Sequence, residues 1–115
     1  MENRSVRIYQ LLSQLGVTPN YVGFFHLASA VQLCADHPER LQLVTKWIYP
    51  LVAQQCGTTW NAVERNIRTV GNVIWKQNRP MLEQLAHRPL PKRPRSAQLL
   101  SILASTLFSE PWCSQ

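Results

Sequence analysis

The chain has 115 residues, 45% of them hydrophobic and 16% charged, with twelve Lys and Arg against six Asp and Glu for a formal charge of +6. That length suits one compact domain that buries a core without metals or disulfides, and no apolar run approaches the roughly 20 residues of a membrane span. The chain is therefore expected to be soluble, and the basic balance points to an anionic partner.

Near the N-terminus, Ile8, Leu11, Leu12 and Leu15 recur at helical spacing, and Gly16 stands where a C-terminal cap belongs, so Ser5 to Leu15 is read as a first helix. Glu2, Arg4 and Arg7 interrupt this segment, which has neither the apolar stretch nor the cleavage site of a secretory signal; the expected location is the cytoplasm. After Thr18-Pro19-Asn20, the residues Phe24, Leu27, Ala28, Val31, Cys34 and Ala35 give a second helix that ends before His37-Pro38. A third series runs through Leu41, Val44, Ile48, Leu51 and Val52 to Gln55, with Pro50 expected to bend or break it.

The stretch from Gly57 to Trp75 supplies a fourth helix, and "RPMLEQLAHR" a short fifth one starting near Pro80. Pro89, Pro91 and Pro94 make "RPLPKRPR" an extended cationic loop. Ser96 is read as the N-cap of a last helix whose apolar face is Leu99, Leu100, Leu103 and Leu107, and the tail 109–115 is expected to fray. With no alternating strand pattern and no repeat, the expected fold is all-α, a compact bundle of about six helices in a single domain. Cys34, Cys56 and Cys113 are odd in number and far apart, as reduced structural cysteines would be.

The fourth helix carries the chemistry. At about 100° per residue, Val63, Ile67, Val70 and Ile74 form a core stripe, while Asn61, Arg65 and Arg68 lie opposite, flanked by Glu64 and Ala62. Eight of the twelve cations fall between Arg65 and Arg95, opposed there only by Glu83. Ala53, Gly57 and Val63 have the spacing of a helix-turn-helix: a small residue at the helix contact, a residue tolerant of positive φ in the turn, and a branched apolar residue buried in the second helix. Val52 and Cys56 would add small apolar contacts. Asn66 departs from the pattern, since an apolar side chain is usual there.

A major groove admits one α-helix, and Arg can donate two hydrogen bonds to guanine O6 and N7. Arg65 and Arg68 are accordingly the candidate base readers, with solvated surface arginines as the plain counterpart. Glu64 would accept from a cytosine amino group, pair with Arg68, or serve as capping partner to Asn61; Asn61 would itself donate to a phosphate or adenine edge, or merely cap. Thr58 and Thr59, at the helix start, suit a phosphate, with an N-cap role expected for one of them. Lys92, Arg93 and Arg95 would hold a second phosphate strand or reach into a minor groove.

Trp47 and Trp75 lie on or near core stripes and are read as packing residues. Trp60 is read as core or staple, the alternative being contact with a sugar or base methyl. His26, His37 and His87 lack partners at ligand spacing, so no metal and no cofactor is assigned, and no nucleophile–base pair or phosphate-cradling glycine loop is present; an enzyme is not expected.

The segments "LLSQLGVTPNYVGFFHLASAV", "VTKWIYPLVAQQCGTT", "VERNIRTVGNVIW" and "RPRSAQLLSILASTL" are similar, in order and spacing, to the C-terminal DNA-binding domain of the sporulation initiation response regulator family (sporulation stage-zero protein A), from about Leu11 to Leu107. The resemblance implies a six-helix domain, a helix-turn-helix that reads a short element of double-stranded DNA, and tandem or homodimeric pairing on adjacent elements, with the transcription machinery as a further partner. Glu64, Arg65 and Arg68 match recognition-helix positions, and Arg93 matches a basic position before the last helix. Where the family usually has Ser-Arg, this chain has Asn61 and Ala62, which removes one guanine reader worth about 1–3 kcal/mol of discrimination. The family's N-terminal receiver domain has no room before the first helix, as in an excised domain or a stand-alone protein. The expected function is sequence-specific DNA binding by a transcription regulator; the alternative is a helical protein-interaction module that kept the fold and lost base reading.

Overall fold

The computed structural model describes residues 4–37, 39 and 43–109. The helices in chain order are α1 (Arg4–Gln14), α2 (Val22–Asp36), α3 (Val44–Trp47), α4 (Tyr49–Cys56), α5 (Trp60–Ala86) and α6 (Ser96–Ser109), and no strand occurs among the described residues. The architecture is all-α. Because α3 is a single turn of four residues, five longer helices carry the bundle rather than the six expected.

The helix expected near Pro80 is the far end of α5, joined to the near end across a kink at Asn78, whose φ of −152° is non-helical. Asn78 restarts the helix: its Oδ1 accepts from the Met81 N–H at 3.4 Å, and its Nδ2 donates to the Gln14 carbonyl at 3.0 Å. The ring of Pro80 follows in the restarted first turn, where its missing N–H leaves no helical bond unmade. Pro50 acts in the same way at the start of α4, which is why the third apolar series divides at Ile48. Leu41 of that series and the tail 110–115 lie outside the described residues.

Helix α2 is central, packing on α1, α4, α5 and α6. Its Phe24, Leu27, Ala28, Val31 and Cys34 are buried among Leu12 and Leu15 of α1, Val52 of α4, Ile67 and Val70 of α5, and Leu100 and Leu103 of α6. Where α2 crosses α5, a Cβ at Gly23 would collide with the Asn66 carbonyl oxygen and Val70 Cγ2, so only glycine permits that approach. Burial also pushes the Cys34 thiol up to about 12, leaving it protonated and inert. Cys56, by contrast, is exposed at the end of α4 and adds none of the packing expected of it. No helix of the described residues is long and apolar enough to cross a membrane.

Candidate nucleic-acid interface

Helix α4 ends at Gly57, whose φ of 67° and ψ of 41° are left-handed, a conformation that costs glycine least. The Thr58 N–H closes the turn onto the Ala53 carbonyl at 2.9 Å. Thr59, in extended backbone, then caps α5 by accepting the Ala62 N–H at 3.2 Å. Ala53 is buried against α5 and Val63 is fully buried, so the small, left-handed and branched positions of the 53–63 spacing are all occupied as that pattern demands. The cap falls to Thr59, and Asn61 and Glu64 form no capping box. Thr59 can still donate its hydroxyl proton outward while its oxygen accepts; the Thr58 N–H is already committed, and its hydroxyl has no partner among the described residues.

On the outward side of α5, Asn61, Arg65 and Arg68 are exposed and Glu64 is half-buried. Arg68 Nη1 donates to Glu64 Oε1 at 2.9 Å, so of the roles open to Glu64 the i,i+4 pair is realised. An exposed pair of this kind holds a geometry more than it stabilises a fold, being worth under about 1 kcal/mol. Arg65 projects without an acid partner among the described residues.

The proline-rich loop is fastened from below. Glu83 Oε2 accepts the Leu90 N–H at 2.6 Å and the Arg79 Nε–H at 3.4 Å, and Arg79 Nη2 donates to the Leu90 carbonyl at 2.6 Å. Arg79 also stacks over the Trp75 ring at 4.4 Å. Glu83, the lone acid between Arg65 and Arg95, is thus spent on the loop anchor. Lys92 and Arg95 remain exposed and Arg93 half-buried, with no acid partner among the described residues. The Arg93 guanidinium lies over α5, its Nη1 4.0 Å from where a Cβ at Gly71 would stand.

An open groove of about 490 Å³ runs between α5 and the start of α6, lined by Trp60, Glu64 and Arg68 on one wall and Arg93, Arg95 and Ser96 on the other. It draws the helix and the loop into one cationic surface. Asn61, Arg65, Thr58, Thr59 and Lys92 are outside its lining. The model of the family described as "Sporulation initiation factor Spo0A C terminal" matches residues 8–107. The chain belongs to that family. Spo0A C-terminal domains are DNA-binding effector domains of sporulation regulators rather than a class of enzymes, and the match covers both walls of the groove.

Asn66, the departure from the helix-turn-helix spacing, has a structural reason. Asn66 is polar because its Nδ2 meets Nδ1 of His26, 3.4 Å away; His26 is only 5% accessible, and burial lowers its pKa below the ordinary value. A buried imidazole without a partner would be costly, and Asn66 supplies one from the facing helix. Such a pair has no local sequence signature, its members being forty residues apart. The indoles of Trp47 and Trp60 are exposed at 44% and 45%, not packed in the core as expected, whereas Trp75 does pack against it.

Ser96 is the first residue of α6 rather than its cap. Arg95 holds the cap position, with its carbonyl accepting from Leu99 at 2.9 Å and its N–H donating to Gln98 Oε1 at 3.1 Å. Ser96 is instead hydrogen-bonded to Tyr49, whose phenol burial raises above its ordinary pKa. Among the described residues, no group of three or more His, Cys, Asp or Glu is placed to hold a metal ion.

Proposed function

We propose that the chain is a sequence-specific binder of double-stranded DNA and a transcription regulator, with α4, the turn 57–59 and the first half of α5 acting as a helix-turn-helix. In this reading α5 enters the major groove. Arg65 and Arg68 donate to guanine O6 and N7, Glu64 orients Arg68 or accepts from a cytosine, and Asn61 reaches an adenine edge or a phosphate. Thr58, Thr59, Lys92, Arg93 and Arg95 hold the phosphates on either side.

The observation that carries the proposal is Arg65: exposed, without an acid partner among the described residues, on the face opposite the buried Val63, Ile67, Val70 and Ile74. A side chain needed by the fold would have acceptors of its own, as Arg79 has. Ala62, in place of the family's usual arginine, removes a base contact and shifts the preferred element away from the usual one. The chain acts in the cytoplasm as a single DNA-binding domain, pairing in tandem on adjacent elements.

Titration of a duplex at two salt concentrations tests this. Neutralised phosphates release counterions, so log K should fall steeply with log salt, by about 0.9 per phosphate contacted. Arg93→Ala should lower that slope by about one contact, and Arg65→Ala should weaken the selected duplex at least tenfold more than a scrambled one. A flat salt dependence would instead favour a protein-interaction module.

A further inference from the structure

Trp60 is the first residue of α5, and its large apolar ring is 45% accessible. No hydrogen bond or ring contact among the described residues engages the indole. Leaving so much of the ring in water is unfavourable in the free protein, and the fold leaves nearly half of the residue uncovered. Its neighbours narrow the choice of what does. Trp60, Glu64 and Arg68 stand one turn apart along one flank of α5, and this flank faces Arg93 and Arg95 across the groove. One wall combines the indole with the Arg68 guanidinium, which neutralises the Glu64 carboxylate beside it, and the other adds the Arg93 and Arg95 guanidinium groups, so the groove stays net cationic and fits a polyanion with apolar faces between its charges. An apolar peptide would strand those cations.

The sugar–phosphate strand of nucleic acid has that alternation: a charged phosphate, then a pentose ring whose face is mostly C–H. Trp60 lies about 140° round the helix from Arg65, at about 100° per residue, and so faces a strand at the groove wall rather than the base edges beneath Arg65. We infer that the Trp60 indole packs against a deoxyribose of the strand whose phosphates Arg93 and Arg95 hold, adding affinity that depends on neither base sequence nor salt. This rests on the DNA reading above and adds to it a contact of a different physical kind.

The test uses the whole chain and two labelled duplexes, one selected from a random pool and one scrambled, each titrated at two salt concentrations with the unsubstituted protein, Trp60→Ala, Trp60→Phe and Arg93→Ala. Trp60→Ala should weaken both duplexes by the same factor, about five- to tenfold, the effect of leaving a few tens of Å² of ring in water. Its salt slope should stay that of the unsubstituted protein, while Arg93→Ala lowers the slope. Trp60→Phe should recover most of the loss. As a second readout, adding duplex should change the tryptophan emission of the unsubstituted protein more than that of Trp60→Phe, a comparison that holds even if the alanine variant folds poorly.

Loss confined to the selected duplex would overturn the inference, by placing the indole on a base. So would affinities within twofold of the unsubstituted protein on both duplexes, together with an emission change that Trp60→Phe leaves intact, while Arg93→Ala still lowers the slope; the DNA reading would survive that result. Failure of the unsubstituted protein to bind either duplex would remove both together.

Discussion

The two halves of α5, before and after Asn78, spend the same residue type in opposite ways. Beyond the kink, Arg79 is surrounded by acceptors and a ring: Glu83 and the Leu90 carbonyl accept its hydrogen bonds and Trp75 stacks on its face. Before the kink, Arg65 has no acid partner among the described residues, and Arg68 has one half-buried carboxylate, Glu64. Equal formal charge therefore divides into a structural part and an available part. Loop anchoring absorbs Arg79 together with Glu83, leaving Lys92, Arg93 and Arg95 displayed on a loop that those two residues hold in place.

If that division is right, substitutions on the scaffold side should change stability and leave the salt dependence of DNA binding alone, while those on the open side should do the reverse. The largest effect is expected at Gly23, where alanine drives a Cβ into the backbone and Val70 of α5; overpacking against backbone should cost about 3 kcal/mol in urea denaturation. A native-like midpoint for Gly23→Ala would mean that α2 and α5 do not cross so closely.

Arg79→Ala comes next. Its side chain is about half exposed, which discounts the electrostatic part, so a loss of about 1 kcal/mol is expected from the loop anchor. Its salt slope on duplex DNA should stay near that of the unsubstituted protein, whereas Arg93→Ala should keep its melting temperature and lose slope. Interchanged behaviour of the two variants would erase the distinction between the halves.

A smaller effect should follow pH. Burial lowers the His26 pKa below the 6.5 of an unperturbed imidazole, so the unfolded chain binds the proton first as pH falls. The contribution is complete above about pH 6.5 and declines from there toward the lower folded-state pKa. Melting temperatures should therefore drop between about pH 7 and pH 5.5, less so in His26→Gln, and an identical decline in both proteins would assign the titration elsewhere.

Much of this was legible in the sequence because helical periodicity is a local signal. The stripe Val63, Ile67, Val70 and Ile74 is buried as its spacing requires, and Arg65 and Arg68 lie outward for the same reason. Turn chemistry was readable too: Gly57 takes the positive φ, and one of the two threonines that follow caps the helix. What escaped depends on distant partners. His26 and Asn66 meet only because α2 crosses α5, and Ser96 loses its cap role to Arg95 as it pairs with Tyr49. Trp60 departs from the burial expected of it because a large apolar residue beside a helix start is ordinarily covered, and coverage is a property of neighbours that the sequence order does not reveal. The merging of two expected helices into α5 has a similar source, since an asparagine and a proline two residues apart allow either a break or a kink, and the bond from Asn78 to Gln14 selects the kink.

Selection of bound sequences from a random duplex pool, run in parallel with the unsubstituted chain and Arg65→Ala, measures base reading directly. The account predicts a short consensus containing guanine for the unsubstituted chain, and the loss of preference at one guanine position, with the rest retained, for Arg65→Ala. Retrieval of no consensus by the unsubstituted chain, or of the same consensus by both proteins, would contradict it.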